Sequence, residues 1–354
     1  MPDDTGRSHG GPDAQGVPRH DFSSNGHALG PCPPAWRAVQ RADASRYPDP
    51  AYIQLRERLA QHHGVAVERI AIAASGSEFI QRITAQAARA GARHVHVPAH
   101  AYGDYALAAR AWGLAVVHPD APAHADGFDD DAQSLAWFCE PGSPAGASPQ
   151  AAAQLARAGL ARPRLTQVID RAYEPLRLSG RSAFGADVLE RLWQLWTPNK
   201  ALGLTGVRGA YAIAPVVAAA EAVRALEAMA PSWPLGAHGV ALLQAWCEPA
   251  VADWLAAHRP TLQAWRLRLH DGLLALGWQP LPGDAAFVCA QVPCDPQALP
   301  ALLQALRMHH GVKLRDCTSF GLPGHVRMAV LPPAAQDALL AGWRDVAGAY
   351  SSPK

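Results

Sequence analysis

Short hydrophobic runs alternate with helix-like segments from about Tyr52 to Pro215. Seven of these runs have the length and residue types of buried strands, and the first covers residues 69–74. The others lie at 94–98, 115–118, 135–140, 165–170, 191–197 and 209–214. Because strands that alternate with helices usually form a sheet covered on both faces, the pattern predicts an α/β domain with a mostly parallel sheet.

The pattern changes beyond Trp233. Long amphipathic helices follow, including one predicted over Pro260–Leu276, and then short strands near Phe287, Leu314 and Val326 and a closing helix. This part of the chain therefore predicts a smaller α+β domain. The predicted division is a flexible segment over 1–20, an arm over 21–46 that packs with the small domain, a large domain over 47–236 and the small domain over 237–354. The acidic run at 129–131 is predicted to be a solvated loop.

Composition excludes several classes of protein. The chain has 354 residues, 17% of them charged, and a formal net charge of +1, which argues against a nucleic-acid partner. No apolar stretch approaches the roughly 20 residues of a membrane helix, and residues 1–20 lack the apolar core of a signal peptide, so we expect a cytoplasmic protein. The six cysteines form no CxxC pair, and the histidine pairs lack a third ligand; buried thiols and no metal site are expected.

Lys200 is one of only three lysines in the chain. Arginine stays protonated in proteins, so Lys200 is one of few side chains here that can present a neutral amine and form a Schiff base. An arginine-rich composition explains the scarcity equally well. Only the position of Lys200 among the other polar residues can therefore indicate a function.

Polar groups that suit one cofactor follow several predicted strands. Residues 75–77, Ser-Gly-Ser, lie between a strand and a helix, where backbone amides can bind a phosphate. Asp170 ends a strand and Tyr173 follows it, while Thr197 and Arg208 flank Lys200. Each feature alone fits an ordinary helix cap or turn. Together they supply an amine for an aldehyde, an acid for a pyridine nitrogen and a phosphate anchor, as a pyridoxal-phosphate pocket requires.

The ordered segments SGSE, AYGDY, EPGSPAG, VIDRAY, TPNKALGLTGVRGAY and FGLPGHVRM resemble those of fold-type-I pyridoxal-phosphate enzymes over most of the chain. The resemblance implies a three-layer, aminotransferase-like large domain. It is closest to the threonine-phosphate decarboxylases of cobalamin biosynthesis, through SHGG at 8–11, DFSSN at 21–25 and the segment that begins at Ser45. Histidinol-phosphate aminotransferases are the neighbouring branch and share the RYPD segment.

The resemblance implies a role for each matching residue around the cofactor. Lys200 becomes the lysine that binds pyridoxal 5'-phosphate as a Schiff base, Asp170 the partner of the ring nitrogen, and Tyr173 the partner of the ring phenolate. Tyr105 is expected to stack on the ring. The residues implied at the cofactor phosphate are Gly76, Ser77, Thr197 and Arg208. Tyr47 is implied to reach the cofactor phosphate of the opposite subunit, so a homodimer is expected.

Four further residues match substrate contacts. The resemblance assigns Arg327 to the substrate carboxylate and Arg315 to a substrate phosphate. It assigns His9 and Asn25 to contacts that the N-terminal region makes with the substrate. Structural ion pairs would explain the arginines, and a disordered tail would explain His9, without any function.

The chain departs from the resembled pattern in its catalytic loops. EPGSPAG stands where NPNNPTG is usual, so that Ser143 replaces an asparagine near the cofactor phenolate and Glu140 adds a carboxylate. Asn199 replaces the usual Ser or Thr before the lysine. The function implied first is decarboxylation of threonine phosphate to aminopropanol phosphate. The alternative is a pyridoxal-phosphate-dependent aminotransferase of class I/II, similar to those that act on histidinol phosphate, and a catalytically altered relative is a third possibility; in each case the partner is a small amino-acid-type substrate.

Overall fold

A seven-stranded sheet forms the centre of the larger part of the molecule. The computed structural model describes residues 9–118, 133–217 and 219–351. Within these ranges the strand order in the large sheet is β2-β8-β7-β6-β5-β3-β4. The strands of this sheet are β2 Ile70–Ala73, β3 His94–His96, β4 Ala115–Val117, β5 Ser134–Cys139, β6 Leu165–Asp170, β7 Trp193–Trp196 and β8 Ala210–Ile213.

All seven strands predicted from the hydrophobic runs are confirmed. The run at 165–170 has the predicted bounds, and the others begin or end within one or two residues of the prediction. Strand β8 is antiparallel to both of its neighbours, β2 and β7, whereas the remaining pairs are parallel. Consequently β2, β3, β5, β6 and β7 all point the same way, and their carboxyl ends meet at one edge. The acidic run at 129–131 lies outside the described residues.

Helices cover both faces of this sheet and give the predicted three-layer arrangement. On one face α3 and α4 pack through residues such as Phe79, Ile83 and Ala108, and on the other α1, α2 and α8 pack around Leu59 and Leu242. The helices up to this point are α1 Pro33–Gln40, α2 Ile53–His63, α3 Gly76–Arg89, α4 Gly103–Ala111, α5 Gln150–Gly159, α6 Ala186–Leu189, α7 Ala219–Glu227 and α8 Ala237–Trp246.

The C-terminal part contains a second, antiparallel sheet with three helices. Its strand order is β12-β13-β10-β9, which confirms strands near Phe287 and Val326 and on either side of Leu314. The strands of this region are β9 Gln279–Pro280, β10 Phe287–Gln291, β11 Val312–Lys313, β12 Arg315–Asp316 and β13 His325–Ala329. The helices are α9 Pro249–Ala275, α10 Leu299–His310 and α11 Pro333–Ser351.

The predicted start of α9 at Pro260 is wrong. The helix begins eleven residues earlier, at Pro249, and Pro260 lies within its 27 residues. Proline is typical of a first helical turn, which is why Pro260 indicated a helix start. Pro249 occupies that position instead, and the helix-forming run between the two prolines continues the element. Among the helices of the described ranges, none combines the length and the apolar character needed to cross a lipid bilayer.

The N-terminal region crosses from the small sheet to the large one. Strand β1, His20–Asp21, pairs in parallel with β11, and the carbonyl of Phe22 accepts a hydrogen bond from the amide of Ala329. Residues 10–19 also make contacts: the ammonium group of Lys313 donates to the Gly11 carbonyl and to Asp13, each at 2.5 Å. The division into segment, arm, large and small domains stays a prediction.

All six cysteines are free thiols. Cys32, Cys289 and Cys317 are buried and the other three are half-buried, so the expectation of buried thiols holds for half of them.

Candidate active site

One cavity of about 630 Å³ lies at the edge where the parallel strands end. Thirteen of the fourteen predicted site residues line it, and their roles stay predictions. The thirteen are His9, Asn25, Gly76, Ser77, Tyr105, Ser143, Asp170, Tyr173, Thr197, Lys200, Arg208, Arg315 and Arg327. The cavity therefore collects residues from the N-terminal region, the large sheet and the small sheet.

The N-terminus of α3 forms one wall of the cavity. The hydroxyl of Ser75 caps the helix by accepting from the Glu78 amide at 3.1 Å, and the Glu78 carboxylate accepts from the Ala74 amide at 3.0 Å. A side chain at Gly76 would place its Cβ 3.0 Å from the Thr197 methyl group, which is tighter than ordinary contact. Glycine thus leaves the first-turn amides open to a ligand, and the helix dipole favours an anion there.

Asp170 lies at the end of β6 and is buried. One carboxylate oxygen accepts from the Tyr105 hydroxyl at 2.7 Å and the other from the Ala172 amide at 2.9 Å. Burial raises the pKa of this carboxyl, and the nearby Lys200 charge and the two hydrogen bonds oppose that rise. A buried carboxylate with these partners would be stabilised further by a cationic ligand group, such as a protonated ring nitrogen.

Tyr105 does not have an open ring face, so the prediction that it stacks on the cofactor is at odds with the structure. Its side chain is 0% exposed, and Trp137 stacks on it with ring centroids 4.4 Å apart. Its hydroxyl is committed to Asp170. Tyr102, which the sequence analysis missed, is half-buried, lines the cavity and bonds through its hydroxyl to Ser77 at 3.1 Å.

Lys200 lies in a turn directly after β7. The turn is closed by bonds from the Leu202 amide to the Pro198 carbonyl and from the Gly203 amide to the Lys200 carbonyl. Gly203 has a φ of +63°, and a Cβ there would stand 2.5 Å from the Gly30 carbonyl oxygen. Only glycine suits this position, because the left-handed conformation and the neighbouring backbone both exclude a side chain.

The N-terminal region binds the lysine turn along its backbone. The amide of His27 donates to the Lys200 carbonyl at 2.9 Å, and the amide of Cys32 donates to the Leu202 carbonyl at 2.8 Å. The His27 imidazole packs against Trp254, with ring centroids 4.2 Å apart. Burial and the nearby His258 lower the pKa of His27 to about 4. The imidazole is therefore neutral at neutral pH.

Tyr173 lies beside the lysine. The Lys200 ammonium stands 5.2 Å from the centre of the Tyr173 ring. The side-chain amide of Asn25 donates to the Tyr173 hydroxyl at 3.3 Å, and the Asn25 carbonyl oxygen is buried with no partner in the described part of the chain. This contact joins the N-terminal region to the residue predicted to bind the ring phenolate.

Arg327 is held by two neutral oxygens. Its guanidinium donates to the Ser143 hydroxyl at 2.9 Å and to the Ser23 carbonyl at 3.0 Å. Its Nε is buried and has no hydrogen-bond partner among the described residues. Ser143 is thus engaged with a residue predicted to bind the substrate.

Arg315 lies directly opposite Arg327 across strands β12 and β13. Its guanidinium donates to the Asp316 carbonyl at 2.8 Å and to the Ser319 hydroxyl at 2.7 Å, and both arginines lie near the Phe320 ring. Burial and the Arg327 charge lower the pKa of Arg315. Two buried guanidinium groups on adjacent strands repel each other, so this corner of the cavity favours anions.

Glu140 does not line the cavity, although the sequence left its role open. Its carboxylate is 1% exposed and accepts from the Ser182 hydroxyl and the Ala183 amide. The Arg177 guanidinium lies 3.6 Å away. Glu140 therefore belongs to an ion-pair network beneath the loop. Asn199 does line the cavity, and its amide donates to the Thr205 carbonyl at 3.4 Å.

Tyr47 is the one predicted site residue outside the cavity. Its side chain is 78% exposed and stacks on Trp233, with ring centroids 4.5 Å apart. Trp233 also lies outside the lining of this cavity. Within one chain, Tyr47 is not positioned to contact a ligand of the same cavity.

Sequence reasoning missed several residues that line the cavity, among them Tyr102, Ser23, Ser319 and Phe320. Tyr102 could have been found, because it follows β3 at the same sheet edge and lies in the quoted AYGDY segment. Ser319 and Phe320 lie in a short 3₁₀ turn that the hydrophobic pattern does not reveal.

Comparisons with known proteins find similar proteins over most of the chain. The sequence pattern of the aminotransferase class I and II family matches residues 20–341. The chain is 29% identical over 338 residues to histidinol-phosphate aminotransferase 1 of Burkholderia pseudomallei (strain K96243), which covers 93% of this chain and 92% of that protein.

Two solved structures share the fold. The histidinol-phosphate aminotransferase from Sinorhizobium meliloti, solved with pyridoxal-5'-phosphate, has a TM-score of 0.81 and 22% identity, covering 95% of this chain and 93% of that one. The L-threonine-O-3-phosphate decarboxylase from Porphyromonas gingivalis has a TM-score of 0.72 and 18% identity, covering 92% of this chain and 99% of that one.

Proposed function

The chain belongs to the aminotransferase class I and II family, and on that premise we propose that it decarboxylates a phosphorylated amino acid, with L-threonine phosphate as substrate and aminopropanol phosphate as product. The family makes it a pyridoxal-phosphate enzyme. The choice of substrate and reaction is the proposal. It is supported by the two buried arginines that face one cavity together with Lys200.

The described residues fit pyridoxal phosphate. Besides the buried Asp170 carboxylate and the open helix start at Gly76, the cavity has a buried Thr197 hydroxyl with no hydrogen-bond partner among the described residues. A hydroxyl, backbone amides and the Arg208 guanidinium suit the cofactor phosphate. Asp170 suits the ring nitrogen, and Tyr102 is proposed as the stacking residue in place of Tyr105.

The two opposed arginines carry the substrate proposal. An amino-acid substrate with a carboxylate and a phosphate carries two anionic groups, and Arg327 and Arg315 offer one guanidinium for each. Arg327 has donors left for a ligand, since two of its five N–H groups bind neutral oxygens and its buried Nε has no partner among the described residues. An anionic substrate would also relieve the repulsion between the two guanidinium groups.

The reaction replaces the carboxyl group of the substrate by a proton and releases carbon dioxide. Bound pyridoxal phosphate supplies an electron sink next to the substrate amine. Arg327 would bind the carboxylate and set its orientation, and Arg315 would hold the phosphate. Lys200, released from the cofactor by the incoming amine, would deliver the proton to the carbon that has lost the carboxylate.

An aminotransferase is the second candidate. It is favoured by the 29% identity to a histidinol-phosphate aminotransferase over most of both chains. In that reaction Lys200 would move a proton from the carbon that bears the amine to the cofactor, and no carbon–carbon bond would break. The same residues can serve both reactions. The reaction is decided by which bond of the substrate is held perpendicular to the cofactor ring.

A product assay separates the two reactions. The holoenzyme is incubated with L-threonine phosphate, and carbon dioxide and aminopropanol phosphate are measured; a parallel reaction contains histidinol phosphate and 2-oxoglutarate, and glutamate is measured. We expect carbon dioxide in the first and no glutamate in the second. Glutamate without carbon dioxide would replace the decarboxylase by the aminotransferase. Neither product, despite bound cofactor, would reject both.

Substitution of Arg315 by alanine tests the phosphate subsite. If Arg315 binds the substrate phosphate, Arg315→Ala raises KM for the phosphorylated substrate far more than for its unphosphorylated analogue. Arg327→Ala is the matched comparison, because loss of carboxylate binding weakens both substrates alike. Equal effects of Arg315→Ala on the two substrates would contradict its assignment.

A homodimer is part of the proposal. Tyr47 is exposed and lies outside its own cavity, as expected of a residue that reaches the cofactor phosphate of a partner subunit. Two-fold symmetry would then supply both sites at once.

A further inference from the structure

Asn25 lies at the centre of a short, fixed stretch of the N-terminal region. On one side the Ser23 carbonyl accepts from Arg327 at 3.0 Å, and on the other the His27 amide donates to the Lys200 carbonyl at 2.9 Å. The Asn25 side chain is 5% exposed and lines the cavity. Its position is therefore set by backbone contacts with both the small sheet and the lysine turn.

The direction of the bond between Asn25 and Tyr173 is fixed by chemistry. The amide nitrogen of Asn25 only donates, and it lies 3.3 Å from the Tyr173 hydroxyl oxygen. That oxygen must accept, so the single hydroxyl proton of Tyr173 is left for another partner. A hydroxyl that accepts one hydrogen bond becomes a stronger donor in the next.

Ser143, which also lines the cavity, accepts from the Arg327 guanidinium at 2.9 Å. We propose that Asn25 is a positioning residue for the cofactor: it holds the Tyr173 hydroxyl with its proton directed to the phenolic oxygen of the ring. This inference rests on the proposed contact between Tyr173 and the cofactor. It goes beyond the substrate contact that the sequence analysis assigned to Asn25.

The consequence is visible in the holoenzyme without substrate. When pyridoxal phosphate is joined to a lysine, its visible absorption band reports protonation of the nitrogen that links them. The negative phenolic oxygen stabilises the proton on the linking nitrogen. A hydrogen-bond donor to that oxygen weakens this effect, so it favours the deprotonated form of the nitrogen. Loss of the donor, or of the residue that positions it, raises the pH midpoint of the spectral change.

Asn25→Leu is the main variant, since leucine is uncharged and similar in size. We expect its spectral midpoint to rise by about half a pH unit, a fraction of the one to two units expected for a direct donor to a charged oxygen. Tyr173→Phe removes that direct donor and should raise the midpoint by roughly one unit or more.

The double variant Asn25→Leu with Tyr173→Phe decides whether Asn25 acts through Tyr173. We expect its midpoint to equal that of Tyr173→Phe alone, because Asn25 is proposed to act on the cofactor only through the Tyr173 hydroxyl. Additive shifts, or an unchanged midpoint in Asn25→Leu, would overturn the inference. If Tyr173→Phe itself shifts nothing, the proposed contact of Tyr173 with the cofactor fails first. Thermal unfolding of each holoenzyme confirms that the variants are folded.

Discussion

Gly203 is the position at which a single methyl group should loosen the lysine turn from the N-terminal region. Its backbone has a φ of +63°, and an added Cβ would lie 2.5 Å from the Gly30 carbonyl oxygen and 3.0 Å from its carbon. These are backbone atoms, so no side chain can rotate away. In Gly203→Ala the segment around Gly30 must move outwards, and it carries the amides that bind Lys200 and Leu202.

The size of the effect follows from these contacts. Alanine in a left-handed conformation costs about 1–2 kcal/mol. The two hydrogen bonds from His27 and Cys32 contribute about 1 kcal/mol each, and the smaller entropy of the unfolded variant returns about 0.5 kcal/mol. The free energy of unfolding should therefore fall by about 3 kcal/mol. With an unfolding entropy of about 2.1 cal/mol/K per residue over 354 residues, Tm falls by roughly 4 °C.

Differential scanning calorimetry of the holoenzyme measures this change, and titration with pyridoxal phosphate measures cofactor affinity. Gly348→Ala is the control: it lies in α11, a Cβ there meets none of the described residues within 4 Å, and alanine in a helix should stabilise by up to about 1 kcal/mol. We expect Gly203→Ala to lower both Tm and cofactor affinity. A Tm equal to that of the wild type would refute the argument that the turn and the N-terminal region are held together at Gly203.

Three further outcomes are expected. Tyr105→Phe removes the 2.7 Å bond to the buried Asp170 carboxylate, so a cofactor titration should show roughly tenfold weaker binding; unchanged affinity would mean that this bond does not support the cofactor. If the proposed homodimer forms, the Tyr47→Ala and Lys200→Ala variants should each be inactive, yet mixing and re-equilibrating them should restore roughly a quarter of the activity, because half the dimers then contain one complete site; no recovery would exclude a Tyr47 that acts across subunits. The pKa of His27 is lowered from its ordinary 6.5 to about 4, so between these pH values the unfolded chain binds a proton that the folded chain does not. The free energy of unfolding therefore falls as the pH drops from 6.5 to about 4. Over this pH range the free energy of unfolding of the wild type should fall by up to about 3 kcal/mol more than that of His27→Phe, as urea unfolding at the two pH values will test.

The large sheet could be predicted from the sequence because each strand is a local hydrophobic run. The run at 165–170 is bounded by polar residues and by Asp170, and its limits in the structure are the same. The residues at the carboxyl ends of the strands could be grouped for a similar reason, since parallel strands bring their ends to one edge. Most of the cavity lining follows from these two facts and from the resemblance in the motifs.

Contacts of the N-terminal region could not be predicted in this way. Strand β1 has only two residues, and its partner β11 lies almost 300 residues later in the chain. The choice between Tyr102 and Tyr105 also depends on packing: both lie in one short segment, and only the position of Trp137 shows which ring is covered. Pro260 misled the prediction of α9 because a proline marks a helix start more often than a helix interior.

The bond between the Ser23 carbonyl and Arg327 joins residues 304 positions apart, and this separation affects how the protein is made. The ribosome releases the N-terminal region first, and at about 5–20 residues per second Arg327 follows roughly 15 to 60 s later. During that interval residues 9–27 have neither β11 nor β13 to pack on. Lys200 is synthesised partway through this interval, before strand β12 and its Arg315. The growing chain can therefore fold its large sheet early, whereas a complete active site forms only after Arg327 has been synthesised.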